Sequence, residues 1–399
     1  MIFKIITLGC KLNFAESSAL GKVLLDKGHT RAKAGEQADV CIVNTCSVTD
    51  TADQKDRQAI HRIKRENPHA RIIVTGCYAA LKPKEIASML EVDHVIPKDL
   101  NTYHPAYSRD DRTRCFLKIQ DGCNYFCTYC TIPLARGRSR NGSIESIVAQ
   151  AKQALQEGAK EIVLTGVNIG DFGHSTGEKF IDLLKQLDQL STLNYRVRIS
   201  SCEPNLLTDE IIDFVAHSKH FAPHFHIPLQ SGSDEMLRIM HRHYDTALFK
   251  ERIEHIKRVM PHAFIGVDCM VGVRGETEAI WEEYKQFISS LPVSQLHVFT
   301  YSERANTKML TMDLEVVPMK VRHQRSEELH KISEQKLQAF YEVHKGQTAT
   351  VLWEGKKVHP TPLLPYSPTP IMYGFTENYI KVSRPYDKAK VNTFETIII

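Results

Sequence analysis

Short apolar runs alternate with helical patterns through most of the chain, and that alternation constrains the fold more than any other feature. Runs at 3–8, 40–43 and 71–75 read as strands, and 13–27, 50–66 and 83–90 read as helices. On the first helix Ala15, Ala19, Leu20, Val23 and Leu24 share one face, and Asn67-Pro68 ends the second. Strands separated by helices cannot pair as hairpins, so residues 1–105 are expected to form a doubly wound parallel sheet, an α/β domain. A polar stretch at 104–114, with five charged residues, reads as a linker. Strands follow at 115–119, 161–165, 196–200, 223–227, 263–269 and 295–299. Helices fall at 143–157, 178–190, 208–217, 245–259 and 276–290. Six such units suit a partial or full parallel barrel, and a long basic helix at 318–345 completes a domain spanning 106–345. Beyond 346 the pattern changes to short strands at 348–353, 371–375, 379–383 and 396–399. Five prolines between 360 and 370 make that stretch a loop, so 346–399 reads as a small β-barrel.

Ten cysteines, at 10, 41, 46, 77, 115, 123, 127, 130, 202 and 269, are too sparse in 399 residues for a disulfide scaffold. No apolar run reaches the ~18 residues of a membrane span. Lys4 interrupts the apolar N-terminus, which is too short for a signal core. A cytoplasmic chain that avoids membranes is therefore expected, and in that compartment grouped cysteines point to metal. The net charge, 51 − 47 = +4, permits an anionic partner without requiring one.

The strongest chemical signal is Cys123-Asn-Tyr-Phe-Cys127-Thr-Tyr-Cys130, just after the first strand of the central domain. Tetrahedral zinc needs a fourth ligand, and none lies nearby. Three thiolates suit a [4Fe–4S] cluster that keeps one iron open, since such a cluster otherwise takes four protein ligands. The alternative is a zinc knuckle completed by a distant histidine. A second set is spread out: Cys10, Cys46 and Cys77 each follow a strand of the first domain. In a parallel sheet those strand ends share one edge, where ligands bind. Gly9 and Gly76 allow tight backbone there. Spacing alone leaves a shared metal site and three unrelated buried thiols equally open. Cys41, inside its strand, reads as core, and Cys115, Cys202 and Cys269 as packing.

The three-cysteine loop resembles that of radical S-adenosylmethionine (SAM) enzymes. Together with Gly9-Cys-Lys-Leu-Asn13, Asn44-Thr-Cys46, Thr75-Gly-Cys77, Ala135-Arg-Gly-Arg-Ser-Arg140 and His226-Ile-Pro-Leu-Gln230, the chain resembles the methylthiotransferases over all three of its parts. Gly-Cys-Lys-Leu-Asn and the short C-terminal module place it nearest the branch that methylthiolates threonylcarbamoyladenosine at position 37 of tRNA, beside the anticodon. That resemblance implies two [4Fe–4S] clusters, held by Cys123, Cys127 and Cys130 and by Cys10, Cys46 and Cys77. SAM is implied both as radical source and as methyl donor to a sulfur on the second cluster. Tyr129 would pack on the adenine, and Asn168, Ser201, Glu203, Gln230 and Arg242 would line the SAM pocket. A radical route fits the chemistry, because carbon 2 of adenine is unactivated toward nucleophiles and bases.

Arg136, Arg138 and Arg140 alternate with small residues. If extended they point the same way and can grip phosphates or a carboxylate; otherwise they form a solvated basic loop. By resemblance Tyr301 and Arg304 sit at the barrel mouth, with Arg304 set to pair with the threonyl carboxylate. Ala305-Asn306 stands where Pro-Gly is usual there. Residues 346–399 hold six Lys/Arg, four Asp/Glu and seven aromatics. They resemble a TRAM domain that would hold the tRNA anticodon stem-loop, although such aromatics also make small cores. A low-potential electron donor of the flavodoxin or ferredoxin type is implied. Two other readings stand beside this one: a sibling methylthiotransferase acting on isopentenyladenosine or on a ribosomal-protein aspartate, and a non-catalytic metal-binding RNA-binding protein.

Overall fold

Five parallel strands form the first sheet: β1 (Ile2–Thr7), β2 (Thr30–Arg31), β3 (Val40–Thr45), β4 (Arg71–Gly76) and β5 (His94–Ile96), in the order β2-β1-β3-β4-β5. The computed structural model describes residues 1–108, 113–190, 194–355, 358 and 370–399. Cys41, Val43, Ile72 and Val74 are buried from this sheet against Ile60 and Ile63 of α2 (Asp50–Glu66). Thr49 caps that helix, its hydroxyl accepting from the Ala52 amide at 3.1 Å. Helix α1 (Lys11–Asp26) starts earlier than its pattern suggests, with Cys10 as its N-cap. The expected helix at 83–90 shortens to Pro83–Ala87, and a separate helix, Cys77–Leu81, precedes it. Pro83 forces the break by excluding Lys82 from helical backbone.

Six further parallel strands form two sheets of three. β6 (Cys115–Lys118), β7 (Glu161–Thr165) and β8 (Arg196–Ile199) run in the order β8-β7-β6. β9 (His224–Gln230), β10 (Phe264–Val271) and β11 (Gln295–Thr300) run in the order β9-β10-β11. Isolated parallel bridges, Val197 to Phe221 and Ser201 to His226, join the two sheets. The strands alternate strictly. Leu117, Ile162, Val197, Ile227, Val267 and Leu296 face the covering helices and the largest core cluster. Period two turns the intervening residues to the other, inner face: Phe116, Val163, Arg198, His226, Asp268 and His297. Fully apolar strands are usual in parallel sheets, so this polar inner face is unusual.

Helix α1 lies against that inner face, where Ala15 packs with Phe116 and Val163. The 104–114 linker is partly built into the core: Ala106, Tyr107 and Ser108 are buried, and Tyr107 bridges Leu117. Residues 109–112 of that expectation, and 360–369 of the proline-rich loop, lie outside the described residues.

A four-stranded antiparallel sheet ends the chain: β12 (Thr348–Trp353), β13 (Ile371–Phe375), β14 (Lys381–Pro385) and β15 (Phe394–Ile398), ordered β14-β13-β12-β15. The third strand begins later than expected because Tyr379 turns the chain in left-handed backbone, φ 67°. Arg196 and Arg198 hold this sheet to the central domain. Their guanidiniums pair with Glu161 and donate to the carbonyls of Thr350, Phe375, Thr376 and Glu377. Among the described residues, no helix is long and apolar enough to cross a membrane.

Candidate active site at two cysteine triads

The loop carrying Cys123, Cys127 and Cys130 is closed at its neck by backbone pairing of Gln120–Asp121 with Arg140–Asn141. Gly122 makes that neck possible: at φ 70°, a Cβ there would stand 2.0 Å from the Arg138 carbonyl oxygen. The Gln120 amide binds both sides, donating to the Gly122 carbonyl at 2.7 Å and accepting from the Asn168 amide at 2.9 Å. Each sulfur of the loop accepts one hydrogen bond. The donors are Tyr125 N–H to Cys123 at 3.4 Å, Ile132 N–H to Cys130 at 3.4 Å, and the Arg242 guanidinium to Cys127 at 3.0 Å. Burial pushes the Cys123 and Cys130 thiols up to about 12. They therefore become thiolates only when a cation compensates the charge.

Arg242 is the hub of this end. Besides Cys127, it reaches the Tyr129 hydroxyl at 3.4 Å, the Tyr244 hydroxyl at 3.1 Å and the Glu203 carboxylate. Burial raises the Glu203 carboxyl, and Arg242 opposes that rise. Tyr129 lies half-buried against a cluster containing Met236, Met240, Tyr301 and Met309. Asn168 is buried with both side-chain amide atoms unbonded, beside a Tyr125 hydroxyl that accepts from Asn205 instead. Gln230 ends β9 in left-handed backbone, φ 67°, at a bulge in the ladder, and its side-chain oxygen is buried without a donor. Ser201 sits at the bridge to His226, and the Tyr301 hydroxyl is also buried and unpaired. Five of the six residues expected to line a SAM pocket, Tyr129, Asn168, Glu203, Gln230 and Arg242, thus combine orphaned polar atoms with groups tied to the sulfur loop.

Cys10, Cys46 and Cys77 follow β1, β3 and β4 at one edge of the first sheet. A Cβ on Gly9 would meet the Cys46 sulfur at 2.9 Å, so the Cys10 loop lies directly on Cys46. Gly76, just before Cys77 and at φ 102°, itself lies against the Thr45 backbone, where a Cβ would stand 2.4 Å from Thr45 N and O. Burial pushes the Cys46 thiol up to about 12, and the neighbouring Cys77 and Cys10 sulfurs add to the rise. Cys10 alone of the three is exposed. Asn13 fixes this edge, donating to the carbonyls of Leu8 at 2.8 Å and Thr45 at 3.0 Å. Among the described residues no three His, Cys, Asp or Glu side chains gather closely enough to hold a single metal ion. For a larger cluster, the fit rests on the donor set: three sulfurs per site, in the first site each already accepting a hydrogen bond.

Two expected substrate contacts are corrected. Arg136 does not extend into solvent with Arg138 and Arg140. It ends the helix Ile132–Arg136 and is buried between domains, donating to Asp121 at 2.9 Å, Asn13 at 2.5 Å and Glu16 at 3.2 Å. Arg140 is also buried, against Asp121 at 3.2 Å. Only Arg138 is exposed, its guanidinium 4.3 Å from the centroid of the exposed Phe126 ring. Only Arg136 lies in the helix; Gly137, at φ 76°, turns the chain before Arg138, and Arg140 lies in the short strand Arg140–Asn141, so the three do not form one extended row. Arg304 is likewise engaged. It pairs with Asp50 and Asp53 and donates to the Ser47 hydroxyl at 2.7 Å, binding the Cys46 loop to the end of β11. Both arginines therefore tie the first domain to the central one rather than wait for a ligand. Glu16 is the partner that the sequence reading missed: it takes Lys98, Lys118 and Arg136 together.

Residues 2–97 match the family described as uncharacterized protein family UPF0004, and residues 117–288 match the Radical SAM superfamily. The threonylcarbamoyladenosine tRNA methylthiotransferase MtaB of Bacillus subtilis (strain 168) is 36% identical, over 94% of this chain and 88% of its own length. The tRNA-2-methylthio-N(6)-dimethylallyladenosine synthase of Desulfitobacterium hafniense (strain Y51) is 30% identical, over 99% of this chain and 94% of its own. Among solved structures, the radical S-adenosylmethionine methyltransferase TsrM from Kitasatospora setae matches with a TM-score of 0.55 at 13% identity, over 77% of this chain and 76% of that one, a likeness of fold. With two cysteine triads on the strand ends of two parallel-sheet units, and relatives aligned along nearly its whole length, this chain belongs to the radical SAM methylthiotransferase family and is of the MtaB type.

Proposed function

We propose that this protein adds a methylthio group to carbon 2 of N6-threonylcarbamoyladenosine at position 37 of tRNA. The observation that carries the reading is the 36% identity along 94% of the chain to an enzyme named for that nucleoside. In this reading Cys123, Cys127 and Cys130 hold one [4Fe–4S] cluster and Cys10, Cys46 and Cys77 a second. Cluster and SAM together supply the radical and the methylated sulfur that the unactivated ring carbon requires. The chain's own residues do the placing. Arg242 orients Cys127 and Glu203 at once, which supports a role in setting both the sulfur loop and a SAM group. Asn168 and Gln230 offer buried, unbonded polar atoms to SAM, Ser201 lies at the same strand ends, and Tyr129 offers its ring. Arg136 and Arg304 tie the first domain to the central one, which supports a fixed placement of the two cysteine sets relative to each other.

The C-terminal sheet, read as TRAM-like, is proposed to grip the anticodon stem-loop. Trp353 belongs to its core and Tyr379 packs over His224 and Phe264, leaving the Lys381–Tyr373 pair, 3.7 Å from cation to centroid, nearer solvent. A flavodoxin- or ferredoxin-type donor in the cytoplasm is proposed to supply electrons. Mass spectrometry of tRNA nucleosides, after incubation with reconstituted, reduced protein and SAM, tests the reading. The expected product is 2-methylthio-threonylcarbamoyladenosine. A methylthiolated dimethylallyladenosine product instead would transfer the protein to its sibling's reaction.

A further inference from the structure

With Arg304 committed to Asp50 and Asp53, the threonyl carboxylate needs another cation, and the inner face carries one. Lys11 opens α1, directly after Cys10. On a helix it shares a face with Phe14 and Ala15, and Ala15 packs on Phe116 and Val163 of the inner face. Lys11 therefore enters the space between α1 and the strands. Glu16, on the next turn, anchors the same helix to Lys118 at 3.2 Å.

The surroundings of Lys11 are charged but already paired. Asp268, Arg114, Arg198 and Tyr379 are its electrostatic neighbours. Arg114 bonds Glu354 at 3.1 Å, Arg198 bonds Glu161 at 3.0 Å, and Asp268 bonds His226 at 2.7 Å. His297 stacks obliquely beside His226, ring centroids 4.9 Å apart. Lys11 itself is half-buried and makes no hydrogen bond or ion pair among the described residues. A half-buried ammonium without a partner, among groups that have theirs, lacks one anion. The His226–Asp268 pair is partly open, with side-chain exposures of 21% and 16%, so a ligand can reach this floor.

We propose that Lys11 is the carboxylate-reading residue of the substrate site, its ammonium pairing with the threonyl carboxylate while His226 and His297 flank the threonylcarbamoyl chain. This rests on the nucleoside named above and deepens it. Glycine at 266 leaves the room: a Cβ there would come within 3.1 Å of the His297 ring nitrogen. A neutral N6 substituent would leave the ammonium unpaired, so the same lysine works against adenosines with apolar substituents.

The test uses reconstituted holoenzyme and fluorescent anticodon stem-loops with threonylcarbamoyladenosine or its carboxylate-capped methylamide. Wild type is expected to bind the carboxylate form at least ten-fold more tightly. Lys11→Met should bind both forms alike, at the weaker level, and Lys11→Arg should recover part of the preference. Iron content and visible absorbance check that the neighbouring Cys10 site survives. Wild type binding both forms within two-fold overturns the inference whatever the variant does, and so does Lys11→Met retaining the ten-fold preference. Failure of the nucleoside assignment looks different: wild type would methylthiolate neither stem-loop but would act on a dimethylallyladenosine one.

Discussion

The two cysteine triads reach similar ends by opposite routes. Cys123, Cys127 and Cys130 share one loop, and two amides of that loop and the distant Arg242 guanidinium meet their sulfurs at 3.0–3.4 Å. Cys10, Cys46 and Cys77 follow three strands, and parallel register sets those strand ends at one edge: Thr7 lies opposite Asn44, and Thr45 opposite Gly76. The first triad is a property of a segment and the second of a sheet. A loop tolerates change in its neighbours, whereas a sheet edge depends on every close approach that forms it. The largest expected effect separates their chemistry. Cys123→Ala should reduce SAM cleavage to background while iron remains at the first-domain site. Cys46→Ala should leave SAM cleavage intact and abolish the methylthiolated nucleoside. Deoxyadenosine and nucleoside yields, measured in one assay, check both, and equal loss of SAM cleavage in the two variants would break the division.

Next in size is the dependence of the sheet-built triad on backbone. Gly76→Ala places a methyl 2.4 Å from the Thr45 backbone at a φ of 102°. Strain and overpacking together should cost about 4 kcal/mol. Denaturant unfolding measures that loss, and iron bound at the first-domain site should fall while the loop site keeps its own. A fully stable Gly76→Ala protein would mean the edge can relax, against the contrast drawn here.

The contrast also explains what was legible in the sequence. The three-cysteine spacing is local, so it could be read directly, as could most strands and helices from their periods. Cys10, Cys46 and Cys77 could be matched to strand ends only through the parallel-sheet rule, and their convergence needed the family resemblance. Arg136 and Arg304 were misjudged because a guanidinium's partner is a tertiary fact: Glu16 and Asp50 lie 120 and 254 residues away. A usable signal did exist for the polar inner face. Arg196-Val-Arg198-Ile, His224-Phe-His226-Ile and Gly266-Val-Asp268-Cys alternate where parallel strands are normally apolar throughout. That period of two marks a face turned toward something other than core.

The domains that carry the triads are joined through Glu16, and this sets the third effect. Burial would raise its carboxyl, but Arg136, Lys98 and Lys118 outweigh burial and hold it at about 2. The folded value lies below the unfolded one. The contribution is therefore complete above about pH 4.5 and is lost as pH falls toward 2. Glu16→Gln should cost about 3 kcal/mol at pH 7, because it leaves buried cations uncompensated, and should flatten the acid limb of the stability profile. Thermal unfolding between pH 2 and 7 checks both. An unchanged acid limb would show that Asp121, the other carboxylate in the network, carries the coupling alone.

The smallest effect concerns the one arginine of its motif left free. Arg138 lies over Phe126 at 4.3 Å, both exposed beside the loop triad, whereas Arg136 and Arg140 are buried by Asp121. An exposed cation–π contact contributes less than about 1 kcal/mol, so Arg138→Ala should leave stability nearly unchanged. The same guanidinium, if it meets a phosphate of the stem-loop, releases a counterion on binding. Its removal should weaken tRNA binding several-fold and lower the salt slope of log Kd by about 0.9. Binding titrations at several salt concentrations measure that slope. A slope that does not move would confine Arg138 to holding Phe126, and would leave the loop triad's exposed rim without a phosphate contact of its own.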